Sequence, residues 1–220
     1  MTQAHPEFRL LREIAGVRIP DSALAEAATR LAYEVSPATL YNHVIRTYVF
    51  GALVAARQGV AFDEELFYLG AVLHDLGLTE RFAGGQRFEV AGADAADAFL
   101  AARDVAAERR AVVWDAIALH TSVGLADRKR PEIALVHIGA GVDVAGVAFD
   151  QIPAGVVEQT LDALPRLDFK RAFFEILLQD IARKPAQTML TWLSDTARRH
   201  AGAHACPGLF EVMQAAPFSE

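Results

Sequence analysis

Apolar residues recur along the chain with the period of an α-helix from about residue 21 to about residue 200. Strand signals are scarce, because the sequence contains no Asn-Gly or Asp-Gly turn and no sustained alternation of apolar and polar residues. We see no internal repeat and no linker long enough to separate two domains. The pattern therefore predicts an all-α fold, a single-domain helical bundle.

Polar capping residues, prolines and glycines set the predicted helix ends. Ser36 and Pro37 begin a helix that stops before Gly59. Asp63 caps the next helix, whose last turn precedes Gly77. The other predicted helices span residues 21–35, 90–102, 105–120, 131–149, 153–163, 169–183 and 186–200, with a short amphipathic helix at 209–213.

Size and charge limit the classes of function. The 220 residues fit one domain, and 53% hydrophobic with 22% charged residues indicates a globular chain with a buried core. The formal net charge of -7 argues against broad binding to nucleic acids or anionic lipids, because such binding requires Lys and Arg to neutralise phosphates. We therefore expect neither nucleic acid nor a membrane as a partner.

Neither a signal peptide nor a membrane span is predicted. The first residues lack the basic start and apolar run of a signal peptide. The longest apolar stretch, residues 133–149, contains His137 and Asp143, which favours a buried helix over a membrane span. Cys206 is the single cysteine, so no disulfide forms within the chain. These features predict a soluble, cytoplasmic protein, and the apolar tail helix could dock on the core or on a second subunit of a homo-oligomer.

Asp143 stands out because, apart from His137, it is the only acid or base between Ile133 and Phe149. A bare carboxylate buried on a helix is unfavourable unless it is paired, protonated or bound to a metal. Two interpretations are open at this point, an ion pair with an arginine from another helix and ligation of a metal.

A His-Asp pair lies at the C-terminal end of the third predicted helix, within AVLHDLGL. Neighbours on a straight helix point about 100 degrees apart, but a frayed helix end allows His74 and Asp75 to meet one ion. Taken alone, the pair is better explained by a core histidine beside a capping acid. His43, on a largely apolar helix face, is likewise either a core histidine or a ligand. The loop from residue 78 to residue 88 could fold over a site.

The order of these residues is more specific than any one of them: a histidine, a His-Asp pair about thirty residues later, and an isolated late aspartate. This order resembles the HD superfamily of metal-dependent phosphohydrolases, in which the corresponding residues bind metal. The surrounding residues are similar to one branch, the cyanamide hydratase-like HD proteins. The matching segments are SPATLYNHVIRTYVFG from Ser36, AVLHDLGLT from Ala71, RFEVAGA from Arg87, VWDAIALHTS from Val113, HIGAGVDVAG from His137 and KPAQT from Lys184.

The resemblance implies one HD-type helical domain over residues 1–220, with its core at roughly 36–150 and C-terminal helices at 151–220. It also implies one divalent metal ion, held by His43, His74, Asp75 and Asp143. Two imidazoles and two carboxylates suit zinc, iron, manganese, cobalt or nickel. Similarity to the branch implies zinc, although four protein ligands and a water exceed the usual four-coordinate arrangement of that metal.

A metal in such a site lowers the pKa of a bound water towards ~7 and orients the hydroxide against an electrophile. The resemblance implies a small-molecule substrate and addition of water to a nitrile-type carbon, as in the conversion of cyanamide to urea. The predicted catalytic residues are Asp75 and His120, and the residues predicted to contact substrate are Asn42, Glu89 and Thr121.

Each of these assignments has a structural alternative. His120 titrates near neutrality, which suits acid-base catalysis, but a helix-terminal histidine can also interact with the last carbonyls of the helix. Glu89 could pair with Arg87 or Arg81 instead of touching substrate. Asn42 could simply form a hydrogen bond between helices.

Three other functions compete with a one-metal hydratase. In a nucleotide phosphohydrolase the same ligands would act with Arg46, Arg81 and Arg87 on phosphate. A two-metal centre would recruit His120 and His137, but His137 lies about 120 degrees from Asp143 on its helix, which favours one metal. In a metal-stabilised binding or sensor module, the ligands would serve folding alone.

Overall fold

Ten α-helices form the part of the chain that our computed structural model describes, which comprises residues 8, 10–202, 204–215 and 217. The all-α prediction is confirmed. None of these helices combines the length and the apolar character that a bilayer span requires. Their bounds are α1 Ala23–Val35, α2 Ala38–Gln58, α3 Glu64–Leu73, α4 Phe88–Ala101, α5 Ala107–Leu119, α6 Pro131–Ala145, α7 Ala154–Ala163, α8 Phe169–Arg183, α9 Ser194–Ala201 and α10 Leu209–Gln214.

Asp63 and Gly59 act as the predicted caps, whereas the N-cap of α2 is Pro37, which makes no side-chain cap bond, and not Ser36. The Ser22 hydroxyl accepts a hydrogen bond from the amide of Ala25 at 3.1 Å, which caps α1. The Asp63 carboxylate accepts one from the amide of Leu66 at 2.9 Å, which caps α3. Gly59 adopts a left-handed conformation with a φ of 67° and ends α2. Local sequence signals are therefore sufficient for these boundaries.

A short antiparallel hairpin precedes α1 and was not predicted. Its strands, β1 (Glu13–Ile14) and β2 (Val17–Arg18), are two residues long each. The connecting residues Ala15 and Gly16 have φ values of 50° and 81°. Strands this short present no alternating pattern, so the sequence period could not reveal them.

The helix predicted at 131–149 ends four residues early, at Ala145. Gly146 takes a left-handed conformation, and its amide donates to the carbonyls of Gly141 and Val142. A separate 3-10 turn, Phe149–Gln151, follows. The glycine acts here as a C-terminal cap, which requires a positive φ that other residues adopt at a cost.

The prediction of a helix at 186–200 is also wrong for the first half of that range. A 3-10 turn, Pro185–Thr188, begins the segment, and α9 starts only at Ser194. The hydroxyls of Thr188 and Thr191 donate to the carbonyls of Pro185 and Thr188 at 2.6 and 2.7 Å. Such side-chain bonds compete with the helical ladder, so the chain turns between residues 189 and 193.

Helices α2 and α6 approach each other closely at the centre of the fold. A Cβ added to Gly139 of α6 would lie 2.0 Å from the carbonyl oxygen of Thr47 in α2. A Cβ added to Gly51 of α2 would lie 2.8 Å from the carbonyl oxygen of Leu135 in α6. This contact brings the polar side chains of the two helices within hydrogen-bonding distance of each other.

Helix α8 packs over the same region through an apolar cluster that is separate from the main hydrophobic core. This second cluster joins α8 and the residue before α9 to α2, to the 3-10 turn Leu76–Leu78 and to the first residue of α4. Its buried members are Leu40, Leu78, Phe88, Phe169, Phe173, Leu177 and Leu193. The C-terminal part of the chain therefore lies against the segment that contains His74 and Asp75.

We expect Gly139→Ala to destabilise the protein by about 2–3 kcal/mol, because the new methyl group overpacks the α2–α6 contact. The matched control is Gly155→Ala in α7, where an added Cβ meets no atom within 4 Å. That change should stabilise the protein by roughly 0.5 kcal/mol through helix propensity. Urea unfolding of both variants checks the prediction, and equal effects at the two sites would contradict it.

Candidate metal centre

The carboxylate of Asp75 is buried without a hydrogen-bond partner for either oxygen. Asp75 follows His74, the C-cap of α3, at a point where the helical backbone has ended, and is 2% exposed. Three imidazole nitrogens surround it: Nε2 of His74 and of His43 lie 3.3 and 3.5 Å from Oδ2, and Nε2 of His120 lies 3.7 Å from Oδ1. These separations are too long for good hydrogen bonds. The ionised carboxylate of Asp75 therefore lies in the core with lone pairs that accept no hydrogen bond.

The other ring nitrogen of each histidine is fixed by a short hydrogen bond. Nδ1 of His74 and Nδ1 of His120 each donate to the carbonyl three residues earlier, at 2.7 and 2.6 Å. Nδ1 of His43 lies 2.7 Å from Oδ2 of Asp143. A carbonyl only accepts, so Nδ1 carries the proton in the first two rings, and the carboxylate of Asp143 favours the same tautomer in His43. In the neutral rings, Nε2 therefore presents a lone pair towards Asp75.

This arrangement fits a divalent metal ion. One ligand atom from each of His43, His74 and Asp75 can be chosen so that all three lie within 4.8 Å of one another. Metal–nitrogen and metal–oxygen bonds of 2.0–2.1 Å in a tetrahedral site imply ligand separations of about 3.3 Å, close to the observed 3.3 and 3.5 Å. The structure thus brings together three of the four residues that the sequence predicted as ligands.

Electrostatics keep the carboxylate of Asp75 ionised. Burial raises the pKa of Asp75, but His74, His43 and His120 lower it more, so the net pKa lies well below its usual range. Burial lowers the pKa of His120 to about 4. Burial also lowers the pKa of His43, because its effect outweighs that of the carboxylates of Asp143 and Asp75. For His74, burial is outweighed by the charge of Asp75, and its pKa is raised. A proton on His74 and a metal cation would therefore compete for the same carboxylate.

Asp143 is held by an ion pair and does not join that group of three. Arg46 donates from Nε to Oδ1 and from Nη2 to Oδ2 at 2.8 and 2.7 Å, and Arg166 donates to Oδ1 at 2.7 Å. The buried ion pair that the sequence left open is thus present, and the same carboxylate orients the ring of His43. Its ligation of a metal stays a prediction.

The residues after His120 and at the start of α4 form a polar group beside the cluster. Glu89 is 2% exposed and accepts hydrogen bonds from Arg87 at 2.8 Å and from Thr121 at 2.7 Å. The expected pairing of Glu89 with an arginine is therefore present, with Arg87 as the partner. Burial raises the pKa of Glu89, but Arg87, His120 and Thr121 lower it more.

Two phenylalanines of α8 form an apolar wall on the other side of the cluster. The rings of Phe169 and Phe173 stack with centroids 4.9 Å apart, and they lie 5.0 and 5.3 Å from the ring of His43. The sequence did not single them out, because an i, i+4 pair of phenylalanines indicates only a buried helix face. Arg166 was also missed, since nothing near it in the sequence points to Asp143.

The remaining candidates make structural contacts. The amide of Asn42 donates at 2.8 Å to the carbonyl of Pro165, which lies in the segment between α7 and α8, so the bond joins a helix to a loop and not two helices. Nδ1 of His137 donates to the carbonyl of His120 at 2.6 Å and thereby supports the end of α5. His200 and His204 are exposed. Substrate contacts of Asn42, Glu89 and Thr121 stay predictions.

Comparison of the chain with protein-family models and with characterised proteins gave no match. The fold and the site therefore define the class by themselves. The chain is a helical protein whose buried His43, His74 and Asp75 can hold a metal ion.

Proposed function

We propose that the protein is a metal-dependent hydratase or hydrolase of the HD superfamily type that acts on a small uncharged molecule, such as a nitrile or cyanamide. The observation that carries the proposal is the carboxylate of Asp75, buried, without a hydrogen-bond partner, and faced by three imidazole Nε2 atoms. Such a carboxylate requires positive charge close to it, either a proton on an imidazole or a metal ion in the space between these atoms.

Four residues would hold and orient the ion. His43, His74 and Asp75 supply ligand atoms, with zinc or another divalent transition metal as the ion. Asp143 fixes the ring of His43 through the 2.7 Å contact to Nδ1 and is the proposed fourth ligand if its ion pair opens. Bound there, a divalent cation lowers the pKa of water towards ~7 and supplies the nucleophile.

His120 is placed to move a proton. Its Nδ1 is committed to the carbonyl of Ile117, so Nε2 is free to accept the proton that leaves water as the carbon–oxygen bond forms. The same Nε2 then delivers that proton to the substrate nitrogen. The carboxylate of Glu89 stabilises the imidazolium between these two transfers.

The arginines favour an uncharged substrate over a phosphoester. Arg46 is fully buried and bidentate to Asp143, and Arg87 is paired with Glu89. Arg81 is exposed and lies over the ring of Phe82. Two of the three arginines that a phosphohydrolase would need are thus engaged by carboxylates, whereas Phe169 and Phe173 offer an apolar wall.

Elemental analysis followed by parallel assays tests this function. Protein purified without added metal should contain about one equivalent of a transition metal, and the metal-loaded protein should release urea from cyanamide. Release of phosphate from a nucleoside monophosphate panel would favour the phosphohydrolase instead. A metal-loaded protein that turns over neither probe class would support a non-catalytic metal-binding module.

Removal of the metal is expected to lower stability. A site filled at a hundredfold excess over its dissociation constant contributes about 2.7 kcal/mol to the free energy of unfolding, so a chelator should lower the melting temperature and Zn²⁺ should restore it. His74→Ala should lose this response. His200→Ala, at an exposed histidine, is the control and should retain it. Equal responses in the two variants would contradict the site.

A further inference from the structure

The carboxylate of Glu89 is the meeting point of donors from three parts of the chain. Its Oε1 accepts from Arg87 at 2.8 Å, from Thr121 at 2.7 Å and from Nε1 of Trp192 at 3.2 Å. Glu89 itself is 2% exposed. A buried carboxylate that is held by three donors has one orientation, and Trp192 is the donor that the C-terminal part of the chain supplies.

The turn at residues 189–193 has a shape that delivers Trp192 to Glu89. Leu193 is buried in the second apolar cluster beside Phe88, the residue before Glu89. The amide of Leu193 donates to the hydroxyl of Thr191 at 3.2 Å. Leu190 has a φ of 56°, a left-handed conformation that a leucine adopts only where surrounding contacts hold it. The backbone therefore carries strain at the bend that places Trp192.

This turn is also tied to the loop in front of α4. Lys184, which precedes the turn, donates from Nζ to the carbonyl of Gly84 at 3.3 Å and pairs with Asp180 at 3.0 Å. The ring of Trp192 remains 45% exposed although its Nε1 reaches a buried acceptor. Trp192 thus lies at the boundary between solvent and the polar side of the metal cluster.

Glu89 connects this boundary to the cluster. Thr121, its closest donor, directly follows His120. Burial raises the pKa of the Glu89 carboxyl group, but Arg87 and then His120 lower it below its usual range, and the charge of Glu89 in turn opposes the lowering of the His120 pKa by burial. Rotation of the Glu89 side chain would therefore change the field at the imidazole.

We propose that Trp192 is a positioning residue of the metal site: its indole N–H orients the carboxylate of Glu89, which is also bound by Thr121, the residue after His120. The inference rests on the proposed function, since it assigns Trp192 a part in the proton transfer by His120. The turn at residues 189–193 then belongs to the active site, although it lies more than a hundred residues after Glu89.

The chain offers a matched control within one spectrum, because it contains only two tryptophans. Trp114, a half-buried residue of α5, donates from Nε1 to the carboxylate of the exposed Asp94 at 2.9 Å, which is the same type of hydrogen bond. A ¹⁵N-labelled protein therefore gives two indole N–H resonances, which Trp114→Phe and Trp192→Phe assign. Asp94→Asn and Glu89→Gln alter the acceptor of each resonance separately.

The first experiment is a Zn²⁺ titration of the metal-free protein, followed through these two resonances. A dication in the cluster attracts the Glu89 carboxylate, so the Trp192 resonance should shift with one equivalent of Zn²⁺ while that of Trp114 stays in place. Glu89→Gln should remove this shift, because the neutral amide no longer responds to the cation. Stoichiometric Zn²⁺ uptake with an unmoved Trp192 resonance would overturn the inference alone, whereas absence of uptake would overturn the proposed function as well.

The second experiment measures turnover of whichever probe the parallel assays identify. Trp192→Phe retains the ring and loses only the donor, so kcat should fall about tenfold with KM within twofold of the parent. Trp114→Phe should leave both constants unchanged. A Trp192→Phe variant with unchanged kcat would contradict the positioning role, as would a change in KM alone.

Discussion

Asp75→Asn is expected to abolish metal binding and turnover while the metal-free protein becomes as stable as the parent or more stable. The carboxylate is buried and has no donor, so the folded state carries an unfavourable charge at a pH where the imidazoles are neutral and no metal is bound. The asparagine amide can donate to the Nε2 lone pairs of His43 and His74, which the carboxylate cannot. We expect a gain of up to ~2 kcal/mol in metal-free stability and more than about a hundredfold loss of metal affinity.

Calorimetric titration with Zn²⁺ and urea unfolding in the presence of a chelator measure the two effects. Asp162→Asn, at an exposed aspartate of α7, is the matched control and should change neither. A variant that unfolds in the absence of metal would indicate that the carboxylate supports the fold through contacts other than a cation. Retained metal binding would exclude Asp75 from the ligand set and remove the basis of the proposed function.

Asp143→Ala is expected to produce a large loss of stability. Arg46 is completely buried, and without its partner the guanidinium would be an uncompensated charge in the core. Breaking such a pair from one side costs roughly 3–5 kcal/mol. Arg166→Met removes a partner that is 32% exposed, so this control should cost about 1 kcal/mol or less.

The double change Arg46→Met with Asp143→Leu separates charge from packing. It replaces the ion pair by apolar groups of similar volume, which is often neutral or stabilising, and should therefore recover most of the stability that Asp143→Ala loses. Urea unfolding of the four proteins, with the parent included, provides the comparison. A double variant as unstable as the single one would attribute the loss to packing and not to the buried charge.

The carboxylate of Asp143 also predicts how the stability of the protein depends on pH. Burial raises the pKa of Asp143, but His43 and Arg46 lower it more, so the folded pKa lies well below the ordinary value. A depressed carboxyl pKa contributes stability that is present above the unfolded pKa of about 3.9 and is lost as the pH falls towards the folded pKa. The stability difference between the parent and Asp143→Asn should therefore shrink on acidification below about pH 4.

Side chains that lie close together in sequence were the easiest to interpret. The caps Ser22 and Asp63 and the stop at Gly59 act on backbone groups within a few residues, so their chemistry is legible in the sequence. The turn at residues 189–193 could not be predicted from the sequence, because threonine hydroxyls and the burial of Leu193 outweigh helix propensity there. A short window contains no information on such packing.

The candidate metal centre likewise has residues that the sequence predicted and contacts that only the structure shows. His43, His74 and Asp75 were selected by residue type, order and resemblance, and the structure gathers them at one point. The sequence left two interpretations of Asp143 open, because an arginine partner and a metal both compensate a buried carboxylate. Only the crossing of α2 and α6 places Arg46 at 2.7 Å from it.

By itself, then, the sequence determined the all-α class, most helix ends and the three side chains of the candidate metal centre. The tertiary structure decided which Nε2 atoms face Asp75, which arginines neutralise Asp143, and that Trp192 reaches Glu89. The physical reason is the range of the interactions. Helix period and capping act over a few residues, whereas the contact of Trp192 with Glu89 joins positions 103 residues apart and exists only once the helices have packed.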